Sequence, residues 1–259
     1  MANERPGISV AQMREVDRLM VEEYGVTLLQ MMENAGRSLA ALARRLLGGS
    51  LAGARIVALV GPGNNGGGGL VAARHLVNAG ATVMLALAAE PPLVRVAPEQ
   101  QRRILAQMGM IGSHHATAPD DLPALLRLAD LTVDALLGYS GHGAPREPIA
   151  SFIRAANSAS APRIALYLPS RLNGDSGVPG APTISAAATL TLAWPKTGLL
   201  TPVAHPLVGR LYLADINVPE AVYHKVGMQR GALFSPSPII RLQPHADAGW
   251  WQPDVAGAL

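Results

Sequence analysis

The sequence predicts an α/β protein: a Rossmann-like three-layer sandwich in which helices cover both faces of a doubly wound, mainly parallel central sheet. Three observations predict this class. Apolar runs of strand length alternate with amphipathic segments of helical period along most of the 259 residues. A glycine-rich turn follows the all-apolar segment at residues 56–60. Hydrophobic residues make up 49% of the chain, which is enough for a large core.

Two N-terminal helices are predicted before the sheet begins. Apolar residues recur at helical spacing over residues 10–19 and 28–47, with an interruption around Gly25. The elements that follow are an apolar strand at 56–60, an amphipathic helix at 71–78 and a second strand at 81–88. This order is a βαβ unit, so we expect its two strands to be parallel.

The alternation continues through the second half of the chain. Helices are predicted at residues 122–128 and 148–158, and strands at 131–136 and 163–168. Two further apolar runs, at 186–193 and 211–216, extend the series, although the first of them also suits a helix. A central sheet of about six or more strands is the architecture that this pattern favours.

The chain divides into a Rossmann-like domain at residues 1–234, which includes the two N-terminal helices, and a C-terminal tail at 235–259. The tail is rich in proline and lacks a clear period, so we expect an extended or partly disordered arm. It contains the pair Trp250 and Trp251, which either docks on a surface or belongs to an ordinary unstructured tail.

Composition excludes several classes of protein. The chain has no cysteine, which rules out disulfides, thiolate nucleophiles and thiolate metal sites. Its net charge is only +3 and its arginines are scattered, so nucleic-acid binding is not implied. No apolar run is long enough to span a membrane, and the N-terminus lacks the pattern of a signal peptide. We therefore expect a soluble, cytoplasmic protein.

The segment GPGNNGGGG, residues 61–69, is the most specific motif in the chain. Gly61, Gly63 and Gly66 fit the G-x-G-x-x-G spacing between a strand and a helix, where missing Cβ atoms let phosphate groups approach backbone N–H groups. Asn64 and Asn65 add side-chain donors and acceptors to the same turn. The motif predicts a phosphate-binding turn.

GPGNNGGGG resembles the GxGNNGGDG signature of the NAD(P)H-hydrate epimerase family, also called the YjeF N-terminal domain family, which includes apolipoprotein A-I-binding proteins. Further segments follow in the family's order over residues 9–220. LLQMMENAGRSLA resembles its LMENAGRA helix, VDALLG its VDALFGTG loop, and LPSRL its IPSGL segment. WPKTGL and GRLYLADINVP resemble its PKxG and GxxxxxDIGIP elements. The resemblance implies a Rossmann-like fold, an epimerase activity and a homodimer.

The resemblance also implies a potassium ion beside a hydrated nicotinamide nucleotide. By motif, its side-chain ligands are Asn65, Asp134 and Ser170, whose oxygen atoms suit a hard cation. The family loop that covers the nucleotide's phosphates corresponds to residues 138–144. The predicted ligand-binding residues are Gly63, Asn64, Asn65, Gly66, Gly67, Gly68, Gly138, Tyr139, Ser140, Gly141, His142, Gly143, Ala144, Tyr167 and Arg171.

The chain departs from the family at the carboxylates that contact substrate. Gly68 and Tyr167 stand where the family pattern has aspartates, and Arg171 replaces the glycine after the motif serine. Epimerisation requires proton transfer as the hydroxyl leaves and returns, and neither glycine nor an ordinary tyrosine replaces a carboxylate at neutral pH. We therefore expect a degenerate member that binds a nucleotide or another phosphate-bearing ligand and has lost the ancestral chemistry.

Two alternatives remain open at this point. The chain is either a repurposed isomerase or other enzyme acting on a different anionic substrate, or an epimerase that still works through other groups. Tyr167 and His142 are the candidate acid/base residues for such activity, although His142 also suits an exposed loop. Arg171 either points into the pocket, where it would attract anions, or lies in solvent while Tyr167 fills the space of an absent ligand.

A NAD-dependent dehydrogenase is the rival reading. Glu90 follows the second strand of the βαβ unit, about where such enzymes hold the ribose hydroxyls. No hydride-acceptor site accompanies it, so we interpret Glu90 as a helix-capping or surface residue.

Overall fold

The structure, a computed structural model, describes residues 5–89, 93, 95–110, 122–139, 145–244 and 250–254. One mixed sheet organises the molecule, in the order β1-β9-β8-β7-β6-β5-β4-β2-β3. Its strands are β1 (Arg5–Pro6), β2 (Arg55–Val60), β3 (Thr82–Leu87), β4 (Leu131–Ala135), β5 (Arg163–Leu166), β6 (Ala188–Leu192), β7 (Arg210–Ala214), β8 (Ile239–Pro244) and β9 (Trp250–Asp254).

The strands from β3 to β7 pair in parallel, which confirms the predicted α/β class and its mainly parallel sheet. Strand β2 lies between β3 and β4, so the chain leaves β2 in one direction across the sheet and later returns to its other side. A reversal of this kind is the topological switch point at which open α/β sheets form ligand-binding clefts.

Helices flank the sheet. They are α1 (Val10–Glu22), α2 (Leu28–Leu46), α3 (Asn64–Asn78), α4 (Val96–Gln107), α5 (Leu122–Arg127), α6 (Ile149–Ser158), α7 (His205–Val208) and α8 (Glu220–Lys225), with a 3-10 helix at Thr197–Leu200. The two predicted N-terminal helices begin at capping boxes, in which Ser9 pairs with Gln12 and Thr27 with Gln30. Among the described residues, none of these helices is long and apolar enough to cross a lipid bilayer.

Strand β2 shows why the sheet is covered on both faces. Its residues Ile56, Ala58 and Val60 belong to one buried hydrophobic cluster, whereas Val57 and Leu59 belong to another. Because successive side chains of a strand point to opposite faces, the two clusters lie on opposite sides of the sheet. This is the three-layer arrangement that the continuous apolar strands predict.

The helix after the glycine motif begins earlier than the sequence predicts. Helix α3 starts at Asn64 and includes four consecutive glycines, whereas the apolar period indicates a start near residue 71. Glycine is a poor helix former, so propensity places these residues in a turn. Tertiary packing overrides that preference, because the glycines are buried against neighbouring strands and helices.

The prediction of an extended or partly disordered tail is wrong for residues 239–244 and 250–254. Strand β8 pairs antiparallel with β7, and β9 pairs antiparallel with both β8 and β1. Trp251 is fully buried, and its ring lies 5.5 Å from that of Trp194, centroid to centroid. Proline is uncommon within strands, and Pro244 ends β8 while Pro253 lies in β9, so the sequence pattern hides both strands.

Candidate functional site

The switch point brings the glycine motif against the end of β4. The amide of Gly61 donates to the carbonyl of Ala135 at 3.1 Å. A Cβ at Gly61 would lie 1.8 Å from the carbonyl oxygen of Leu136, and a Cβ at Gly66 would lie 1.9 Å from that of Gly61. Both contacts are with backbone, so these two positions require glycine if α3 is to start directly against the strand ends.

The N-terminus of α3 is open on its other side. Gly63 is the N-cap residue, supplies no side-chain cap, and has no atom within 4 Å of an added Cβ. The first backbone N–H groups of a helix lack intrahelical acceptors. The N-terminus of α3 therefore has the chemistry of an anion site, at the end of the sheet where the switch point lies.

The three residues predicted as cation ligands come together at Leu137. Asn65 donates from Nδ2 to the carbonyl oxygen of Leu137 at 3.1 Å, and the amide of Leu137 donates to Ser170 Oγ at 2.9 Å. Ser170 Oγ also donates to Asp134 Oδ1 at 2.6 Å, and the Ser170 amide donates to Asp134 Oδ2 at 2.8 Å. Strands β4 and β5 and helix α3 thus deliver one oxygen-rich cluster.

Asp134 is the charged member of this cluster and is fully buried. Burial raises the pKa of its carboxyl to about 6, although the hydrogen bonds from Ser170 and Leu136 act in the opposite direction. No lysine, arginine or histidine of the described residues forms an ion pair with it. The described residues also contain no cluster of three histidines or carboxylates that would suit a transition metal.

Gly68 and Tyr167, which stand where the family pattern has aspartates, both lie near the end of β5. A Cβ at Gly68 would lie 2.8 Å from Cδ2 of Leu166, the residue that precedes Tyr167. Tyr167 is 7% exposed, and its buried hydroxyl has no hydrogen-bond partner among the residues that the structure describes. Tyr167 therefore fills buried space at the end of β5.

Strands β5 and β6 end in the same arrangement, Tyr-Leu-Pro-Ser and Ala-Trp-Pro-Lys. The first residue of each has a positive φ, 74° at Tyr167 and 62° at Ala193, which is uncommon outside glycine. The fourth residue, Ser170 or Lys196, is fully buried. In each turn, the fourth residue is therefore a polar side chain that is buried at the end of the strand.

Lys196 is a site residue that the sequence analysis did not single out. Its ammonium lies 3.8 Å from the centroid of the Tyr167 ring, and it donates to the carbonyl oxygens of Leu192 and Trp194 at 2.8 and 2.9 Å. Burial lowers the pKa of Lys196 to about 7. Lys196 is the lysine of WPKTGL, a segment that resembles the family's PKxG element, and this resemblance was the signal that could have marked it as a site residue.

Asp17 is the second residue that was missed. It lies on α1, and its Oδ2 accepts a hydrogen bond of 2.7 Å from the hydroxyl of Tyr139. The Tyr139 ring lies 5.2 Å from that of Tyr167, centroid to centroid. Burial raises the pKa of Asp17, and the Tyr139 hydrogen bond and the charge of Lys196 oppose that shift. Helix α1 thus supplies a carboxylate to Tyr139, whose ring in turn lies against that of Tyr167.

The remaining predicted residues divide into two groups. Arg171 is half-buried, and a Cβ at Gly180 would lie 3.1 Å from its Nη2, so its guanidinium rests on the loop that follows. Neither the fully inward nor the fully solvent-exposed alternative describes it. Gly138 lies beside Asn65, because a Cβ there would be 3.5 Å from the Cβ of Asn65. Ser140, Gly141, His142, Gly143, Ala144 and Glu90 lie outside the described residues.

Comparison with known proteins decides the family. The model of the YjeF-related protein N-terminus matches residues 28–198 of the chain. The chain belongs to this family. The match covers the glycine motif, Asp134, Ser170 and Lys196, so the resemblance inferred from the sequence motifs is confirmed.

Several proteins similar in sequence to this YjeF-related protein are named for NAD(P)H-hydrate epimerisation or repair. The chain is 43% identical over 222 residues to an NAD(P)H-hydrate epimerase of Dehalogenimonas lykanthroporepellens, covering 86% of each chain. It is 37% identical to an NAD(P)H-hydrate epimerase of Rhodopirellula baltica, over 83% of this chain and 85% of that one. It is 38% identical to a bifunctional NAD(P)H-hydrate repair enzyme of Moorella thermoacetica, over 82% of this chain and 41% of that enzyme.

A solved structure supports the fold. The crystal structure of the yeast protein YNL200c superposes with a TM-score of 0.78, over 92% of this chain and 100% of that chain. The sequences are 24% identical, so the likeness concerns the fold alone.

Proposed function

We propose that this YjeF-related protein binds a nucleotide or another phosphate-bearing ligand at the switch-point cleft, and that it epimerises hydrated NADH or NADPH weakly or not at all. The open N-terminus of α3 supports the first part, because uncapped backbone N–H groups and the helix dipole favour a phosphate there. The reaction in the second part is taken from the names of two relatives, which are called NAD(P)H-hydrate epimerase.

The observation that carries the second part is the packing of Tyr167. A side chain that is 7% exposed occupies the position of a substrate-contacting carboxylate, and Lys196 and Tyr139 lie against its ring. A phenol whose pKa is raised well above 10 by burial does not act as a base at neutral pH. Gly68, the other replaced position, has no side chain at all.

We also propose that a potassium ion binds at Asn65, Asp134 and Ser170. Asp134 offers a buried carboxylate without a cationic partner among the described residues, and Asn65 uses Nδ2 on Leu137, which leaves its amide oxygen available as a ligand. A monovalent hard cation is the chemistry that such oxygen donors suit. When bound, it would neutralise Asp134 and hold the glycine motif to the ends of β4 and β5.

Interconversion of the two epimers of hydrated NADH, followed with pure protein in potassium buffer, tests the loss of activity. We expect the unaltered chain to give little acceleration over the spontaneous reaction. The double variant Gly68→Asp/Tyr167→Asp should gain about 10²–10⁴-fold, because positioned acids and bases contribute that much. Lys196 lies at the Tyr167 ring and would provide the counter-charge that a new carboxylate there needs.

Two matched controls sharpen the assay. Gly68→Asn/Tyr167→Asn has the same size without the charge and should stay inactive, and adding Arg171→Gly to the aspartate pair tests whether the guanidinium impedes substrate. Turnover by the unaltered chain at about 1 s⁻¹ or faster, an ordinary rate for an enzyme, would show that the proposal is wrong.

One observation favours a second candidate, an epimerase that works through other groups. Asp17 brings a carboxylate to Tyr139, and Tyr139 contacts Tyr167. If the unaltered chain turns over, Asp17→Asn should abolish that turnover while leaving nucleotide affinity unchanged.

A further inference from the structure

Two arginines near Tyr139, Arg14 and Arg95, have no role in the proposed function. The Arg14 guanidinium carbon lies 5.5 Å from the centroid of the Tyr139 ring. Burial and the neighbouring Asp17 carboxylate raise the pKa of the Tyr139 phenol, and the charges of Arg14 and Arg95 act against that rise. The Arg14 guanidinium from α1 lies over the Tyr139 ring, and Arg95, the N-cap residue of α4, supplies a second positive charge.

Neither arginine has an acidic partner in the part of the chain that the structure describes. By contrast, Arg18, Arg74 and Arg102 each pair with a glutamate. Arg14 and Arg95 are both exposed to solvent. Their charges are thus available to a ligand, because they are not paired with carboxylates of the described residues.

Topology places Arg95 and Tyr139 at the switch-point end of the sheet. Arg95 is the N-cap residue of α4, after β3, whereas Tyr139 follows β4. Strand β2, which leads into the glycine motif, lies between β3 and β4. Gly138, next to Tyr139, lies against Asn65 of that motif. A ligand whose phosphates bind at α3 would therefore pass near Arg95 and Tyr139.

In dinucleotide-binding folds, the region beyond the strand that follows the glycine turn holds the ribose, and an arginine there accommodates a 2′-phosphate. We propose that Arg95 and Arg14 form an anion subsite beside Tyr139 that binds a phosphomonoester of the ligand, and that the protein thereby prefers NADP-type over NAD-type nucleotides. This inference rests on the proposed function, because it assumes that a nucleotide binds in the cleft.

Arginine is suited to this role because its planar fork donates two hydrogen bonds to one phosphate. Hydrogen bonds to a charged group are strong enough for each arginine to change affinity by about tenfold or more. NAD⁺ lacks the phosphomonoester, so its affinity should not depend on either arginine.

Isothermal titration calorimetry of the full chain with NADP⁺ and NAD⁺ in potassium buffer tests the subsite. We expect NADP⁺ to bind about tenfold more tightly or better, and R14Q and R95Q each to lose most of that preference without weakening NAD⁺. R210Q is the matched control, because Arg210 is exposed but begins β7, at the opposite end of the parallel strands. R210Q should keep the full preference.

Three outcomes would overturn the inference, and they are distinguishable. Equal affinity of the unaltered chain for the two nucleotides would refute the subsite but leave the proposed function standing. A preference that survives in the R14Q/R95Q double variant would place the phosphate contact elsewhere. Absence of binding by either nucleotide at millimolar concentration would refute nucleotide binding itself.

Discussion

Asp134 couples the candidate cation site to pH. Burial raises the pKa of its carboxyl to about 6, against an ordinary value of 3.8. Between these values the folded protein binds more protons than the unfolded chain, so the stability that Asp134 contributes is complete at low pH and is lost as the pH rises through about 6. At neutral pH the ionised, buried carboxylate costs about 3 kcal/mol.

A bound potassium ion would offset this cost. We therefore expect potassium chloride to raise the unfolding temperature at about pH 7.5, where Asp134 is ionised, and to have little effect at about pH 4.5, where it is protonated. Thermal unfolding in potassium chloride, compared with tetramethylammonium chloride at equal ionic strength, measures the difference. Asp134→Asn is the control and should respond equally to both salts. An equal response by the unaltered protein would count against the cation site.

The same residues show how far a sequence predicts a site. Asn65, Asp134 and Ser170 were predicted from the family resemblance, and they come together because the ends of parallel strands meet at one edge of a sheet. Asp17 and Lys196 were not, because their places depend on how α1 packs against the Tyr139 loop and on how Lys196 folds back over β6. Such long-range packing leaves no local signal in the chain.

At the scale of elements, helix α3 depends on particular glycines. Gly66→Ala would place a Cβ 1.9 Å from the carbonyl oxygen of Gly61, a backbone atom that cannot move away without shifting the strand end. We expect a loss of at least about 2 kcal/mol in the free energy of unfolding. Urea denaturation of the variant measures it.

Gly63→Ala is the matched substitution in the same motif. Its backbone angles, φ −93° and ψ −173°, suit any residue, and an added Cβ meets no atom within 4 Å. Alanine is only a weaker N-cap than glycine, so the loss should stay below about 1 kcal/mol. Equal destabilisation by the two substitutions would mean that the close approach of the Gly61 carbonyl is not what requires glycine at position 66.

The element boundaries that the sequence predicts are correct where the period is strong. The strands near residues 56–60 and 81–88 and the two N-terminal helices fall within a few residues of their observed positions. The start of α3 was wrong because glycine propensity and tertiary packing act in opposite directions there. Periodicity alone cannot decide between them.

At the scale of the whole molecule, the antiparallel strands complete the core. Trp251 on β9 is fully buried against Trp194, and its indole Nε1 donates to the carbonyl of Pro6. Trp251→Ala should cost about 3–5 kcal/mol, as is usual when a large aromatic side chain is removed from a core. Chemical denaturation measures this cost. Gln252→Ala, at an exposed neighbouring position on the same strand, should change stability by less than about 0.5 kcal/mol.

A small effect of Trp251→Ala would mean that β8 and β9 are an attachment to the sheet rather than part of its core. The sequence did not reveal this role, because a short strand interrupted by proline resembles a tail until its pairing partner is known.

The pairing of β1 with β9 also constrains the order of events during synthesis. The carbonyl of Pro6 accepts from the indoles of both Trp194 and Trp251, at sequence separations of 188 and 245 residues. Strand β1 is synthesised before the other strands of the sheet, yet its partner β9 is synthesised after them. Until then the N-terminal segment has no strand to join and Trp194 lacks its neighbouring indole. The edge of the sheet therefore closes after translation of β9, however early the glycine motif and β2 have folded.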